Sequence, residues 1–304
     1  LQNRAPKLRA DDLTPVSWEA DPSLEWCPPG HGDIYTALLA SGLLDALLDK
    51  GYRYAMTANS DNLGAAPSAR IAGWFAASGA PYAPEMCRRT PADVKGGHLA
   101  VRKSDGRIIL RDTAQTPEDQ MHYFTDQFRH PFFHTNNLWF DLKVLRDPLA
   151  DRGGILGLPL IRNSKTVAPA DSSSTPVIQL ETAMGAAVEA FEGATAIEVP
   201  RSRFLPVKTT NDLLLVRSDV YEVDDDGLLQ MVPDRACTVS LDPRFYKKIQ
   251  DFEARFPNGV PSIKDAQSLT VEGDWTFGAD VVATGEAHVE AEGSPGRIAD
   301  GTRI

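Results

Sequence analysis

The sequence has little of what defines several large classes of protein. Its three cysteines, Cys27, Cys87 and Cys237, form no Cys-x-x-Cys pair, which argues against a disulfide framework or a cysteine-bound zinc. No apolar run approaches the roughly 18 residues of a membrane-spanning helix, so no membrane partner is expected. Lys and Arg total 31 against 42 Asp and Glu, giving a formal net charge of −11. That balance argues against a general nucleic-acid binder, which needs a basic face.

Several catalytic motifs are missing as well. The sequence holds no GxSxG, HExxH or GxxxxGK[ST] motif, so hydrolysis by a nucleophilic serine is not supported. The scattered cysteines favour a reducing compartment, and we expect the protein to be cytoplasmic. The chain begins with Leu1 rather than methionine, and we expect it to start inside a longer protein.

The first part of the chain alternates between helical and strand patterns. A helix is predicted over 33–50, with Asp33 as its N-cap. A buried strand is predicted over 52–58 and a second helix over roughly 65–78, with the polar turn 59–62 between them. This alternation is typical of a doubly wound α/β domain, in which ligands gather at the carboxyl ends of strands. The turn is therefore a candidate site by its position alone.

Further elements are predicted along the rest of the chain. Residues 99–102 and 107–110 have the pattern of a hairpin, and 179–191 that of a helix. Another helix is predicted over 242–256, with Asp242 as N-cap, and its aromatic and aliphatic stripe is expected to pack in the core.

The last forty residues have a different periodicity. Two sets of apolar residues recur every six positions: Leu269, Trp275, Val281 and Ala287, and Val271, Phe277, Ala283 and Val289. A six-residue period favours a hexapeptide β-helix, with an ordinary β-meander as the alternative. The run covers little more than one coil, so we expect it to pack on the preceding domain, on neighbouring coils or on another subunit.

Two segments suit a phosphorylated ligand and a metal. Gly30 and His31 precede a predicted helix, where close backbone approach and N–H donors favour phosphate, although a plain turn has the same pattern. Asp61 follows a predicted strand among amides, which suits a Mg²⁺ ion that also binds substrate phosphates, although an Asx-turn is the commoner meaning of such a motif.

Three more segments are candidates for ligand contact. Gly97 lies in Lys-Gly-Gly-His, where exposed backbone can meet a sugar or nucleotide edge, and Asn136 lies in Thr-Asn-Asn-Leu-Trp, whose amides can bind hydroxyls. The segment 200–212 holds three cations in an otherwise acidic chain. Two of them lie between Pro200 and Pro206, and the third, Lys208, follows Pro206. An anionic ligand could bind there, and surface salt bridging is the alternative.

Together these segments resemble the eukaryotic-type UTP–glucose-1-phosphate uridylyltransferases. The resemblance rests on an ordered set of motifs: PPGHGD, NSDNLGA, KGG, TNNLW, LETAMGAA and PRSRFLPVKTTNDLLLVRSD. It implies a doubly wound, Rossmann-like and GT-A-like nucleotidyltransferase domain over 1–240, here without its first β-α unit. A linker helix and a short left-handed β-helix would follow over 241–304, with a homo-oligomer through the β-helix as one possibility.

The resemblance also implies an activity and a set of residue roles. The family joins UTP and glucose 1-phosphate into UDP-glucose and pyrophosphate with Mg²⁺, by attack of the sugar phosphate on the α-phosphorus. Asp61 matches the metal ligand and Lys208 the catalytic lysine. The nucleotide-binding positions fall on Gly30, His31 and Asn59, and the substrate-binding positions on Gly97, Asp112, Asn136 and Phe204.

The sequence departs from the family pattern in two places. Asp112 stands where the family usually carries Glu, which leaves the sugar open, and the family's Gly-rich nucleotide loop has no counterpart in these residues. Two alternatives therefore stay open: a related enzyme acting on another sugar 1-phosphate, and a non-catalytic fragment that binds nucleotide sugar or supports assembly.

Overall fold

The chain folds into two compact units in a computed structural model, which describes residues 1–90, 93, 96–113, 116–290 and 295–304. The first unit comprises 1–58 and 67–200, and the second comprises 59–66 and 201–304. The packing units divide after Pro200, because Leu214 and Val220 are fully buried in the same apolar core as the C-terminal strands. The domain boundary at 240/241 stays a prediction.

The first unit is a mixed α/β structure. Its strands are β1 (Ala5–Pro6), β2 (Leu8–Arg9), β3 (Trp26–Cys27), β4 (Tyr54–Thr57), β5 (Tyr82–Arg88), β6 (His98–Val101), β7 (Ile108–Arg111), β8 (Phe132–Asp141), β9 (Leu160–Thr166), β10 (Pro176–Thr182) and β11 (Ile197–Glu198). Its helices are α1 (Asp33–Ala40), α2 (Leu43–Asp49), α3 (Ala69–Ser78), α4 (Met121–Phe124) and α5 (Leu142–Asp151), with 3₁₀ turns at Pro22–Glu25, Glu118–Gln120 and Met184–Ala190.

The central sheet of this unit runs in the order β11-β5-β8-β4. Strand β8 is antiparallel to both of its neighbours, and β11 is parallel to β5. Because side chains alternate along a strand, Leu138 and Phe140 face the core formed with α1, α2 and α5, while Trp139 contacts Phe75 of α3. Helices therefore cover both faces of the sheet, as the predicted α/β class requires.

The first helix predicted for this unit needs correction. The helix predicted over 33–50 is broken at Gly42, whose φ of +71° is incompatible with a continuous α-helix. Asp33 is the first helical residue rather than the N-cap, and its carboxylate accepts hydrogen bonds from the backbone and side chain of Asn3.

The helix predicted over 179–191 is wrong. Strand β10 pairs antiparallel with β9 up to Thr182, and the 3₁₀ turn Met184–Ala190 follows. The first residues of this turn are buried on all sides, so their spacing carries no information about a helical face. The hairpin prediction is confirmed, with Leu99 opposite Leu110 in the β6–β7 pair. After Pro117 the chain forms a short helical segment over 118–124, and residues 114 and 115 lie outside the described part.

The second unit contains strands that stack in parallel. Its elements are α6 (Thr210–Arg217), β12 (Tyr221–Val223), β13 (Leu229–Met231), β14 (Thr238–Leu241), α7 (Pro243–Tyr246), α8 (Ile249–Arg255), β15 (Ala266–Glu272), β16 (Trp275–Phe277), β17 (Gly285–Glu290) and β18 (Gly296–Ile298). Strands β14, β15 and β17 form one parallel sheet, and β16 pairs in parallel with β18. The helix predicted over 242–256 is divided into α7 and α8, with Asp242 as N-cap as expected.

The six-residue period corresponds to the register of these parallel strands. Leu269 lies opposite Ala287 and Val271 opposite Val289, which are equivalent positions in the predicted repeat. Phe277 is fully buried and packs against Phe256, whereas Trp275 is only partly buried. A meander is excluded for this region, because a meander pairs its neighbouring strands antiparallel.

Among the described helices, none combines the length and the apolar character that crossing a membrane would require.

Candidate functional site

The Gly-His-Gly-Asp segment of the first unit is fixed against the end of β10. The Gly32 N–H donates to the Thr182 carbonyl and the Thr182 N–H to the Pro29 carbonyl, both at 2.9 Å. Gly30 has a φ of +84°, and a Cβ there would lie 2.5 Å from the Thr182 carbonyl oxygen, so glycine is required for this close approach. The result is a tight backbone turn that presents His31 just before α1.

His31 is oriented by a backbone hydrogen bond. The Met184 N–H donates to its Nδ1 at 2.9 Å, so the neutral ring carries its proton on Nε2. Partial burial lowers the pKa of His31 below its ordinary value, although the carboxylates of Glu181 and Asp112 act in the opposite direction. His31 is therefore a neutral Nε2–H donor at physiological pH, suited to an oxygen atom of a ligand.

A second histidine, His134, has the same arrangement. The Asn136 N–H donates to its Nδ1 at 3.0 Å, which leaves the proton on Nε2, and this Nε2 is buried without a hydrogen-bond partner. Burial, and to a lesser degree the nearby His31, lowers the pKa of His134 to about 4. The ring fits against Gly185, where a Cβ would come within 2.8 Å of its Cε1.

The predicted sugar-contacting residues of this unit surround these histidines. The Gly97 carbonyl accepts a 2.7 Å hydrogen bond from the His134 N–H. A Cβ on Gly97 would lie 3.1 Å from an Asp112 carboxylate oxygen, so these two residues are in direct proximity. The structure thus brings together His31, Gly97, Asp112 and Asn136, while Lys95 of the same motif lies outside the described residues.

The polar turn after β4 belongs to the second unit and pairs with the basic loop. Asn62 forms an isolated antiparallel β-bridge with Pro206. Its side-chain oxygen accepts a hydrogen bond from the Leu205 N–H at 2.7 Å, and its side-chain amide donates one to the Arg203 carbonyl at 3.1 Å. The Val207 N–H donates to the Asp61 carbonyl at 2.8 Å. This pairing joins two segments that are far apart in the sequence.

The pairing places Asp61 beside Lys208. The Lys208 Nζ lies 3.6 Å from Asp61 Oδ2, with 61% and 36% of the two side chains exposed. Lys208 also precedes α6, where the Thr209 hydroxyl and the Asp212 carboxylate form a capping box. The Asp212 carboxylate accepts from the Lys208 N–H at 3.0 Å, which fixes the backbone that carries the lysine.

The surroundings of Asp61 fit a weakly held divalent cation. Its Oδ1 is buried and has no hydrogen-bond partner, so one carboxylate oxygen remains available as a ligand. Within the described residues no group of three or more His, Cys, Asp or Glu gathers to enclose a metal. A single carboxylate suits Mg²⁺ that completes its octahedron with water and substrate phosphates.

The remaining predicted residues, Asn59 and Phe204, also lie in the second unit. Phe204 is half-buried, with the Arg201 guanidinium 5.2 Å from its ring centre, and it lines a cleft of about 560 Å³ beside α6. Asn59 accepts a 3.1 Å hydrogen bond on its backbone carbonyl from the Asn62 N–H, which closes the turn that presents Asp61.

Sequence reasoning missed the side chain that underlies the Thr-Asn-Asn motif. Glu85 of β5 is completely buried and accepts from the Asn137 amide at 3.0 Å and from the Trp139 indole at 2.9 Å. The one signal was a carboxylate inside an otherwise apolar strand, which is costly unless it is hydrogen-bonded.

Comparisons with known proteins identify the family to which the chain belongs. The family model of UTP–glucose-1-phosphate uridylyltransferase matches residues 1–283. The UTP–glucose-1-phosphate uridylyltransferase of Solanum tuberosum is 40% identical over 100% of this chain and 62% of its own length. The enzyme of the same name from Saccharomyces cerevisiae is 40% identical, over 93% of this chain and 56% of its own.

Solved structures give the same result. A point mutant of the UDP-glucose pyrophosphorylase from Leishmania major, in complex with UDP-glucose, is 46% identical with a TM-score of 0.88, covering 99% of this chain and 66% of that one. The structure of the UDP-glucose phosphorylase from Trypanosoma brucei is 45% identical with a TM-score of 0.87, covering 100% of this chain and 66% of that one. The chain thus spans about six-tenths of the length of the curated relatives it matches. Because the family model covers nearly the whole sequence, the chain belongs to the UTP–glucose-1-phosphate uridylyltransferase family.

Proposed function

We propose that the protein containing this chain makes UDP-glucose and pyrophosphate from UTP and glucose 1-phosphate. The observation that carries the proposal is the pairing of the polar turn with the basic loop, which sets Lys208 3.6 Å from Asp61. A carboxylate for a metal and a cation for phosphate stand side by side there, as transfer between two phosphates needs. Family membership supports the same reaction.

In the proposed reaction the protein positions charges rather than forming covalent bonds. A phosphate oxygen of the sugar phosphate attacks the α-phosphorus of UTP in line, and pyrophosphate leaves. Asp61 would hold Mg²⁺, which supplies charge neutralisation at the nucleotide phosphates. The ammonium of Lys208 offsets the negative charge that builds up as two phosphates approach each other.

Residues of the first unit are assigned to the nucleotide and the sugar. Gly30 and His31 would contact the nucleotide, with the His31 Nε2–H as a donor, and Asn59 of the second unit would assist. Gly97, Asp112 and Asn136 would bind sugar hydroxyls, and Phe204 would also contact substrate. Asp112 reaches one methylene less far than Glu, so the choice of sugar needs a direct test.

Further parts of the proposal concern the setting of the enzyme. We infer that the C-terminal coils over 241–304 form a left-handed β-helix following a catalytic part over 1–240, and that the coils offer a surface for homo-oligomers. The three thiols are free and buried, which supports a cytoplasmic location.

The test is turnover by the natural protein with UTP, Mg²⁺ and each of three sugar phosphates. Pyrophosphate release is measured with glucose 1-phosphate, galactose 1-phosphate and N-acetylglucosamine 1-phosphate. Glucose 1-phosphate should give the highest kcat/KM. Preference for another sugar would shift the proposal to a related pyrophosphorylase, and tight UDP-glucose binding without turnover would indicate a non-catalytic binding protein.

A further inference from the structure

The Thr-Asn-Asn motif lies in a bulge of the central sheet. Between Pro84 paired with Leu138 and Met86 paired with His134, the register of β5 and β8 shifts. On β5 only Glu85 lies in this interval, while on β8 the interval holds residues 135–137. Bulges of this kind redirect side chains and are frequent beside active sites.

Glu85 holds the bulge through both its backbone and its carboxylate. Its carbonyl accepts from the Thr135 hydroxyl at 2.8 Å, and its Oε2 accepts from the Asn137 amide at 3.0 Å. Its Oε1 accepts from the Trp139 indole at 2.9 Å, which fixes the carboxylate from the far side of the bulge. Glu85, Thr135 and Asn137 are each at most 1% exposed, so these hydrogen bonds are shielded from water.

The residue between the two tethered positions has a left-handed backbone conformation. Asn136 has a φ of +65°, in the left-handed region that non-glycine residues rarely occupy. Its neighbours are further linked by the Asn137 N–H, which donates to the Thr135 hydroxyl at 3.2 Å. Residues in this region are held there by their surroundings, and they are frequent at ligand-binding sites.

We propose that Glu85 is a positioning residue for sugar binding: its buried carboxylate clamps the bulge and thereby fixes Asn136 in the left-handed conformation that directs it to the sugar hydroxyls. The inference rests on the proposed function for the identity of the ligand. The clamp itself is independent of that function, because it concerns the conformation of Asn136 in the ligand-free protein.

The first test compares Glu85→Gln with a matched control, Asp141→Asn. In glutamine an NH2 group replaces one of the two accepting oxygens, so either the Trp139 indole or the Asn137 amide faces a donor instead of an acceptor. Asp141 is a buried carboxylate at the other end of β8, where it binds Arg53 and caps α5. Its loss should lower stability without reaching the bulge.

Glu85→Gln should raise the KM for glucose 1-phosphate by about tenfold, the equivalent of one well-placed hydrogen bond, and leave the KM for UTP unchanged. Asp141→Asn should lower Tm and leave both KM values unchanged. An unchanged sugar KM in a folded Glu85→Gln variant would overturn the proposal, as would an equal rise of both KM values.

A second variant keeps the test valid if Glu85→Gln folds poorly. In Glu85→Gln/Asn137→Asp the glutamine can accept from Trp139 and donate to the new carboxylate, so the clamp is rebuilt with its donor and acceptor exchanged. We expect this double variant to recover most of the sugar KM. If the two substitutions together raise the sugar KM by the product of their separate effects, the clamp is contradicted.

The ¹³Cα and ¹³Cβ chemical shifts of Asn136 give a readout that needs no activity. In Glu85→Gln these shifts should move away from the values typical of the left-handed region. In Asp141→Asn they should stay at those values. If the wild type makes no UDP-glucose, the proposed function fails while the shifts still test the clamp. Shifts that stay unchanged in Glu85→Gln would refute it.

Discussion

Replacing Lys208 with alanine should separate its role in transfer from any role in stability. The Lys208 Nζ lies 3.6 Å from Asp61 Oδ2, on the solvent-accessible side of the carboxylate, and ion pairs at the surface contribute only about 0–1 kcal/mol. For a protein of this size, a loss of about 1 kcal/mol would lower Tm by roughly 2–4 °C. Removing a preorganised positive charge from the transition state should instead lower kcat by about 10²–10³-fold.

The assay is pyrophosphate release by the natural protein, run beside thermal unfolding of the same preparations. Lys247→Ala, another exposed lysine of the second unit, is the matched control and should change neither quantity. Lys208→Arg should recover little activity, since a planar guanidinium cannot place its charge at the same point. A Lys208→Ala variant with kcat near wild type, or one whose loss of rate follows a large loss of stability, would contradict a role of Lys208 in the transition state.

Two further predictions concern stability. Phe277→Ala should destabilise the second unit by about 3–5 kcal/mol, since the ring is fully buried, and Trp275→Ala should destabilise it less. Equal urea midpoints of unfolding for the two variants would contradict this packing. Burial, followed by the charges of His130, Arg89 and Arg111, lowers the pKa of His98 to about 3, and burial lowers that of His134 to about 4. In the unfolded chain both histidines are protonated near pH 6.5, whereas in the folded chain they stay neutral until the pH approaches their lowered pKa values. The free energy of unfolding therefore decreases as the pH falls from 6.5 towards pH 3–4. His98→Asn should flatten the pH dependence by up to about 1.4 kcal/mol per pH unit below 6.5, and an unchanged slope would argue against a neutral buried ring.

The fold was predictable where the sequence pattern is strong and local. The six-residue period is matched by parallel strand pairing because its apolar positions face one core, so Leu269 lies opposite Ala287. The break at Gly42 was not predicted, because the apolar residues on either side of it continue a helical spacing. The end of the strand at Thr182 was missed because the small apolar residues of the following turn, which are buried on all sides, imitate a helical spacing.

The candidate site was predictable as residue types but not as an arrangement. Motif resemblance pointed to Asp61 and Lys208, yet their proximity depends on the bridge between Asn62 and Pro206, which no local pattern encodes. The role of Glu85 depends on a register shift between two strands, which also becomes visible only in the folded chain.

The most direct test of the account is the Mg²⁺ dependence of UDP-glucose synthesis in the wild type and in Asp61→Asn. If Asp61 holds the metal beside Lys208, the wild type should need Mg²⁺ for turnover. The variant should lose most of its activity, and excess Mg²⁺ should restore it only in part, because an amide is a weaker ligand than a carboxylate. An Asp61→Asn variant with the same Mg²⁺ titration curve and the same maximal rate as the wild type would contradict the account.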